Sequence, residues 1–149
     1  MNRKILIITC QGDRTADYIT YKLRDRISVF RFNTDLFGNY KLEIGGNPFW
    51  SIEDGDGDRI TDLDIQAIYY RKPLLPALDE YKPVYRNFMQ REIVACIEGL
   101  ADSFLGICLS KPNILRQADN KIYQLAMASK LGFTIPKSLI TNDGEAVQV

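Results

Sequence analysis

Apolar residues along the first third of the chain follow the spacing of alternating strands and helices. The run from Lys4 to Cys10 is almost continuously apolar and rich in isoleucine, which is typical of a strand covered on both faces in a parallel sheet. Asp13 or Thr15 can then cap a helix, and the alternation from Ile27 to Phe32 predicts a second strand. The chain therefore opens as strand, helix, strand.

Two further alternating segments, Tyr40–Ile44 and Phe49–Glu53, flank a turn of Gly, Gly, Asn and Pro, which predicts an inserted β-hairpin. The Asp-Gly-Asp-Gly-Asp stretch at 54–58 that follows resembles the start of a calcium loop. Arg59 stands where such a loop needs glycine, and Ile65 stands where it needs a bidentate glutamate. A solvated turn before another short strand is the better interpretation.

A buried-type strand over Ala67–Arg71 precedes a long helix predicted from about Pro83 to Phe104, and Gly106–Pro112 reads as a short strand and loop. The helix carries an apolar stripe at helical spacing, which we interpret as core: Tyr85, Phe88, Met89, Ile93, Cys96, Ile97, Leu100 and Phe104. The fold class is α/β, a small open and mainly parallel sheet flanked by helices, with the hairpin inserted.

Ligands of open parallel sheets bind beyond the carboxyl ends of the strands. Three segments belong there: the turn at Gln11 and Gly12, the turn at 33–35, and the strand end at Tyr70, Arg71 and Lys72. The first lacks a G-x-G-x-x-G fingerprint or a P-loop lysine, so Gly12 can equally be a plain turn residue.

Arg71 has two interpretations. An arginine directly after a buried strand, close to a proline, offers a fixed fork for a carboxylate or phosphate of a substrate. The alternative is a structural ion pair with Asp35, Asp13 or a helix terminus.

Composition limits the kinds of binding and catalytic site that the chain can form. The 149 residues include 19 basic and 19 acidic side chains and no histidine, so neither a global field for nucleic acid or membranes nor a histidine-dependent site is expected. The 3 cysteines are widely spaced in apolar contexts, which favours a reducing compartment, and no apolar run is long enough for a signal peptide or a membrane span. We expect a cytoplasmic protein that holds no metal in this chain.

The last third carries a more specific pattern. Lys121 follows Asp-Asn and opens a short helical segment, Gly132 is a typical helix-ending residue, and a Leu-Gly-Phe-Thr-Ile-Pro stretch leads to Thr-Asn-Asp at 141–143. This segment resembles the one that joins the N-terminal domain of ATP-grasp ligases to their nucleotide-binding part. With Tyr-Tyr-Arg-Lys-Pro at 69–73, the chain is most similar to microviridin-type (graspetide) peptide maturases, which are related to ribosomal-protein glutamate ligases and glutathione synthetases.

The resemblance implies a pre-ATP-grasp domain over residues 1–115 and a linker helix with the start of the ATP-grasp domain over 116–149. The parent ligase would use ATP and Mg, with the rest of its ATP-grasp domain as a partner in cis and a precursor peptide or small carboxylate as substrate. Lys121 would contact the nucleotide, and Arg71, Tyr70, Lys72, Gln11 and Gly12 would lie on the substrate side. No residue is assigned a catalytic role, no cofactor is expected on this chain, and the chain alone is not expected to catalyse the reaction.

One departure and three alternatives remain. Residues 108–113 replace the tryptophan and Asn-Pro element found after the long helix in many maturases of this type. A free-standing α/β module that binds or dimerises is the main alternative, and a homodimer is open in either case. A receiver-like domain is disfavoured, because the turn after the first strand offers a single carboxylate, Asp13. Without the resemblance, Lys121 would be an ordinary exposed lysine at a helix start.

Overall fold

A computed structural model describes residues 3–147 and contains two sheets. The parallel sheet has the strand order β2-β1-β6-β7, and the antiparallel sheet has the order β3-β4-β5. The strands are β1 (Lys4–Thr9), β2 (Val29–Asn33), β3 (Lys41–Ile44), β4 (Trp50–Glu53), β5 (Arg59–Thr61), β6 (Ile65–Tyr70) and β7 (Ile107–Leu109). The helices are α1 (Arg14–Leu23), α2 (Pro83–Ser103), α3 (Pro112–Asp119) and α4 (Lys121–Lys130), with 3₁₀ turns at Thr34–Asn39 and Glu145–Val147. The predicted fold class is confirmed.

The strand β1 lies at the centre of the parallel sheet, between β2 and β6. Its side chains alternate between two faces. Leu6 and Ile8 belong to the main core, which also takes in apolar residues of the antiparallel sheet and of α2. Ile7 and Thr9 are equally buried on the opposite face, where α1 begins. The predicted coverage of this strand on both faces is confirmed.

The inserted hairpin is confirmed and gains a third strand. In the pair β3–β4, Leu42 lies opposite Ile52, and in β4–β5 Ile52 lies opposite Ile60. Ile52 and Ile60 are fully buried in the main core. At the turn between β3 and β4, Gly45 has φ +111°, a conformation that glycine adopts without strain. The antiparallel sheet therefore covers part of one face of the parallel sheet.

The long helix α2 is buried over only part of its length. Its second half packs into the core through Ile93, Ile97, Leu100 and Ala101. In its first half, Tyr85 and Phe88 are 57% and 64% exposed, so their assignment to the core was wrong. The helical spacing correctly places these residues on one stripe, but within residues 3–147 the first two turns of the stripe stay largely open to solvent.

The described residues divide into two compact units, one ending at Asn113 and the other starting at Ile114. The helix α3 differs from the prediction of a strand and loop over Gly106–Pro112: Pro112 begins a helix, because proline is favoured in the first helical turn. In the second unit, α4 begins after the cap residue Asn120, and Gly132 has φ +77° just beyond the helix. Within residues 3–147, no helix is long and apolar enough to cross a membrane.

Candidate functional site

Three parallel strands, β1, β2 and β6, end at one border of the parallel sheet. We call this border the strand-end edge and define it as residues 10–13, 33–35 and 71–72. The register brings Ile8 of β1 beside Tyr70 of β6 and Thr9 of β1 beside Asn33 of β2. The three segments that were predicted to converge therefore lie next to one another.

Asp13 is the buried carboxylate of this edge. One of its oxygens caps α1 by accepting from the backbone N–H of Thr15 at 3.0 Å and of Ala16 at 3.3 Å. The other oxygen accepts from the Thr9 hydroxyl at 2.9 Å. Burial alone raises the pKa of Asp13, but these hydrogen bonds and the charge of Arg71 together lower it below its ordinary value. Asp13 is therefore an anion at neutral pH.

Arg71 is held against this carboxylate. Its backbone N–H donates to the carbonyl of Ile8 at 2.8 Å, and its Nη2 donates to the Thr15 hydroxyl at 3.1 Å. The Nε lies 2.9 Å from Asp13 Oδ2, an ion pair by distance, although the Nε–H does not point at the oxygen. The side chain is 26% exposed, and its Nη1 has no partner among residues 3–147. The predicted alternative of an ion pair with Asp13 is present, and one end of the fork remains available to a ligand.

A second arginine, Arg31, organises the turn after β1 and was missed by sequence reasoning. Its Nη2 donates to the carbonyls of Cys10 at 2.8 Å and Gln11 at 3.1 Å, and its Nε donates to the side chain of Asn33 at 2.8 Å. Its Nη1 pairs with Asp17. The sequence gives only a weak signal for this role of Arg31. An arginine at a polar position of an alternating strand ordinarily faces solvent.

The other two predicted residues of this turn, Gln11 and Gly12, are exposed. The backbone N–H of Gln11 donates to both carboxylate oxygens of Asp35, at 3.0 and 3.2 Å. Asp35 therefore holds the backbone of this turn, and the ion-pair partner of Arg71 is Asp13 instead. Thr34, also missed, lies fully buried beside it, and its hydroxyl accepts from the N–H of Leu74 at 2.9 Å and lies 3.0 Å from the carbonyl of Thr9.

Tyr70 and Lys72 do not share the position of Arg71. Tyr70 alternates to the other face of the sheet, where it lines a cavity of about 180 Å³ together with Leu75, Val94 and Ile97. Lys72 is exposed and has φ +44°, which is uncommon for a residue other than glycine. The structure thus brings Arg71 and Lys72 to the edge, while Tyr70 contacts the α2 side.

Lys121 belongs to the second unit. It is the first residue of α4, and the Asn120 side chain caps that helix by accepting from the N–H of Tyr123 at 3.0 Å. The exposed Lys121 ammonium donates to the Gln124 side chain at 3.2 Å. This contact within one helical turn leaves the ammonium accessible.

Comparison with protein families assigns the chain. The family model described as the MvdD pre-ATP grasp domain matches residues 4–114. The chain belongs to the MvdD pre-ATP grasp domain family. No curated protein matches it. The matched range contains the whole strand-end edge, so Asp13, Arg31 and Arg71 are all residues of the pre-ATP grasp domain.

Solved structures agree with the family. The chain is similar to the macrocyclase MdnC from Microcystis aeruginosa MRC bound with precursor peptide MdnA, at 28% identity and TM-score 0.85, covering 97% of this chain and 49% of MdnC. It is similar to a Chryseobacterium gregarium RiPP-associated ATP-grasp ligase in complex with ADP and a leader and core peptide, at 29% identity and TM-score 0.80, covering 97% and 46%. It is also similar to the macrocyclase MdnB from Microcystis aeruginosa MRC, at 26% identity and TM-score 0.82, covering 98% and 50%. The chain spans about half the length of these proteins.

The donor groups of this pre-ATP grasp domain do not form a metal site. Within residues 3–147, no three Cys, Asp or Glu side chains are grouped so that they could hold an ion. Lys121 is a single cation with a neutral neighbour.

Proposed function

We propose that this chain is the substrate-side N-terminal part of an ADP-forming ligase that matures a precursor peptide in the cytoplasm. The family assignment and the similarity to MdnC and to the Chryseobacterium gregarium ligase support this proposal. In such a reaction a substrate carboxylate attacks the γ-phosphate of ATP and forms an acyl phosphate with release of ADP. An amine or hydroxyl then attacks the acyl carbon, and phosphate leaves with formation of an amide or ester.

The observation that carries the proposal is the state of Arg71. Its Nε lies in ion-pair distance of Asp13 and its Nη2 donates to Thr15, whereas Nη1 has no partner within residues 3–147. A guanidinium fixed on one side and open on the other can bind a substrate carboxylate without first being ordered. We propose that Nη1 donates to a carboxylate of the peptide and orients it.

The neighbouring residues take supporting roles in this proposal. Lys72 supplies a second cation, and the exposed turn of Gln11 and Gly12 allows the peptide backbone to approach. Tyr70 would contact the substrate from the α2 face. Lys121 would contact the phosphates of ATP, because a flexible ammonium can follow charge as the phosphoryl group moves. Magnesium ligands would come from the ATP-grasp domain in cis, and a homodimer is compatible with this arrangement.

The test uses the ligase in which this chain is continued by its ATP-grasp domain. Purified ligase is mixed with Mg-ATP and peptides that contain Asp or Glu together with Lys, Ser or Thr. We expect ADP release coupled to the loss of one water mass from the peptide per bond, measured by mass spectrometry. A coding sequence that does not continue into an ATP-grasp domain would favour the alternative of a binding module without catalysis. Peptides that never lose water in this assay would favour the same alternative.

A further inference from the structure

The turn after β1 is exposed, yet its backbone is held from two sides. On one side, the carboxylate of Asp35 accepts from the N–H of Gln11 at 3.0 and 3.2 Å. On the other side, Nη2 of Arg31 donates to the carbonyls of Cys10 and Gln11 at 2.8 and 3.1 Å. Because these contacts already fix the turn, a ligand would lose little free energy in ordering it.

These contacts leave one backbone donor of the turn free. The peptide bond between Gln11 and Gly12 is trans, so its C=O and its N–H point in opposite directions. Since Arg31 holds the C=O, the N–H of Gly12 points away from the guanidinium. Among residues 3–147 this N–H has no hydrogen-bond partner. Gly12 therefore presents an oriented backbone donor to solvent.

The fold itself does not require a glycine at this position. A hydrogen bond from the N–H of Asp13 to the carbonyl of Cys10, at 3.2 Å, closes a β-turn in which Gly12 is the third residue. A type II turn needs a positive φ there, which favours glycine. The φ of Gly12 lies outside that region, and a Cβ added to it would meet nothing within 4 Å. The missing side chain instead leaves room for a ligand to approach the N–H closely.

The charges around the turn indicate which acceptor suits this N–H. Asp35 accepts from the neighbouring Gln11 and forms no ion pair with any residue of 3–147. A substrate carboxylate at Gly12 would therefore lie close to an unneutralised negative charge, whereas a neutral carbonyl would not. Arg71 borders the same turn through Asp13, and its open Nη1 suits the carboxylate. The edge thus offers a cationic donor and a neutral donor side by side.

We propose that the backbone N–H of Gly12 binds a main-chain carbonyl of the peptide substrate, and that Arg31 is the positioning residue that directs this N–H. The inference rests on the proposed function, in which Arg71 binds the side-chain carboxylate of the same Asp or Glu residue of the peptide. A residue held at both points has one orientation at the edge, whereas a carboxylate held by Arg71 alone can rotate.

The test follows amide signals of the ¹⁵N-labelled 149-residue chain by NMR. The probe is N-acetyl-glutamate N′-methylamide, which carries one carboxylate and the carbonyls of a peptide. We expect a saturable downfield shift of the Gly12 amide proton and a change in the Nε–H signal of Arg71. Butyrate carries the same carboxylate without an amide and should change the Arg71 signal alone.

Two variants separate the donor from the residue that directs it. Gly12→Ala should keep the wild-type melting temperature but weaken binding of the probe about three- to tenfold, the size of one neutral hydrogen bond. Gly38→Ala is its matched control, since Gly38 is equally open and lies outside the edge. Arg31→Lys should weaken binding similarly and abolish the Gly12 shift, because one ammonium does not replace the fork that holds two carbonyls. Arg59→Lys, on the antiparallel sheet, should bind like the wild type.

The outcomes distinguish this inference from the proposed function. A change at Arg71 with an unmoved Gly12 amide would overturn the inference and leave the proposed function standing. Absence of both changes would also overturn it, and the ligation assay would then decide the proposed function separately. A Gly12 shift caused by butyrate would contradict the carbonyl as acceptor. An undiminished Gly12 shift in Arg31→Lys would show that Arg31 does not direct the donor.

Discussion

The strand-end edge and the first half of α2 are both accessible surfaces of the first unit, but different forces shape them. At the edge, Asp13 receives three hydrogen bonds and an ion pair, and Arg31 uses all of its nitrogens. Along the first half of α2, Glu92 has no partner within residues 3–147, and the ring of Phe88 is largely exposed.

This difference has an energetic consequence. A buried charge that loses a partner retains its desolvation cost, so changes at the edge should reduce the free energy of unfolding. An exposed ring gains little from folding, so changes to such rings of α2 should leave that free energy nearly unchanged. The edge is thus a fixed geometry suited to orienting a reacting group, whereas the exposed rings of α2 add little to the stability of the fold.

The largest expected effect lies within α2 and sets the scale. Ile97 is 2% exposed, and Ile97→Ala should lower the free energy of unfolding by about 3 kcal/mol, because it opens a cavity in the core. Phe88→Ala on the same helix should change it by less than about 0.5 kcal/mol. Urea unfolding followed by circular dichroism measures both. Equal losses would mean that the first half of α2 is covered.

The next effect concerns the charge of Asp13. Asparagine still caps a helix, so Asp13→Asn removes mainly the charge of this side chain. The variant should lower the free energy of unfolding by about 2 kcal/mol at neutral pH. Because folding lowers the pKa of Asp13, its stabilisation is complete above the ordinary value of 3.8 and is lost as the pH falls through the lower value of the folded state. The difference between wild type and variant should therefore shrink only below pH 3.8. A difference that disappears between pH 5 and 7 would contradict this assignment.

Arg71→Lys should have a smaller effect, about 1 kcal/mol. Lysine keeps a positive charge near Asp13 but cannot also donate to the Thr15 hydroxyl as the guanidinium does. Because the Arg71 side chain is partly exposed, solvent screens its attraction to Asp13 and limits the loss. Thermal unfolding of the two proteins in the same buffer checks it. A loss as large as that of Ile97→Ala would contradict the prediction that the Arg71 fork contributes only modestly to the fold.

The smallest expected effect is that of Mg-ATP. Millimolar Mg-ATP should shift the melting temperature of the 149-residue chain negligibly, because stabilisation by a ligand follows its occupancy and the single proposed phosphate contact, Lys121, is too little to hold a nucleotide. Differential scanning fluorimetry measures the shift, with Mg-AMP as the matched control. An increase of several degrees specific to Mg-ATP would contradict the proposed role of a second domain.

Much of the fold could be predicted because its signals are local. Alternation over Tyr40–Ile44 and Phe49–Glu53, the continuous apolar run of β1 and the turn glycines each depend on neighbouring residues alone. The 3.6-residue period of α2 was equally clear. It identified a stripe, but only the tertiary structure decides that Ile97 is covered and Tyr85 is not.

The site was predictable only in outline. The carboxyl ends of parallel strands meet at one edge, so Arg71 and the Gln11 turn could be placed there in advance. The ion-pair partner of Arg71 could not be predicted, because Asp35, Asp13 and a helix terminus were equally plausible from the sequence. Adjacent side chains of a pleated strand also point to opposite faces, so Tyr70 and Arg71 lie on different sides of the sheet although they are neighbours in the sequence.

The most direct test of the account is the Michaelis constant for the peptide substrate in the continued ligase, compared between wild type and Arg71→Lys. Arg59→Lys is the matched control, since Arg59 pairs with Glu43 on the antiparallel sheet, away from the edge. If Arg71 orients the substrate carboxylate, its variant should raise KM about tenfold or more while the control leaves it unchanged. An unchanged KM in Arg71→Lys would contradict the assignment of the strand-end edge to the substrate.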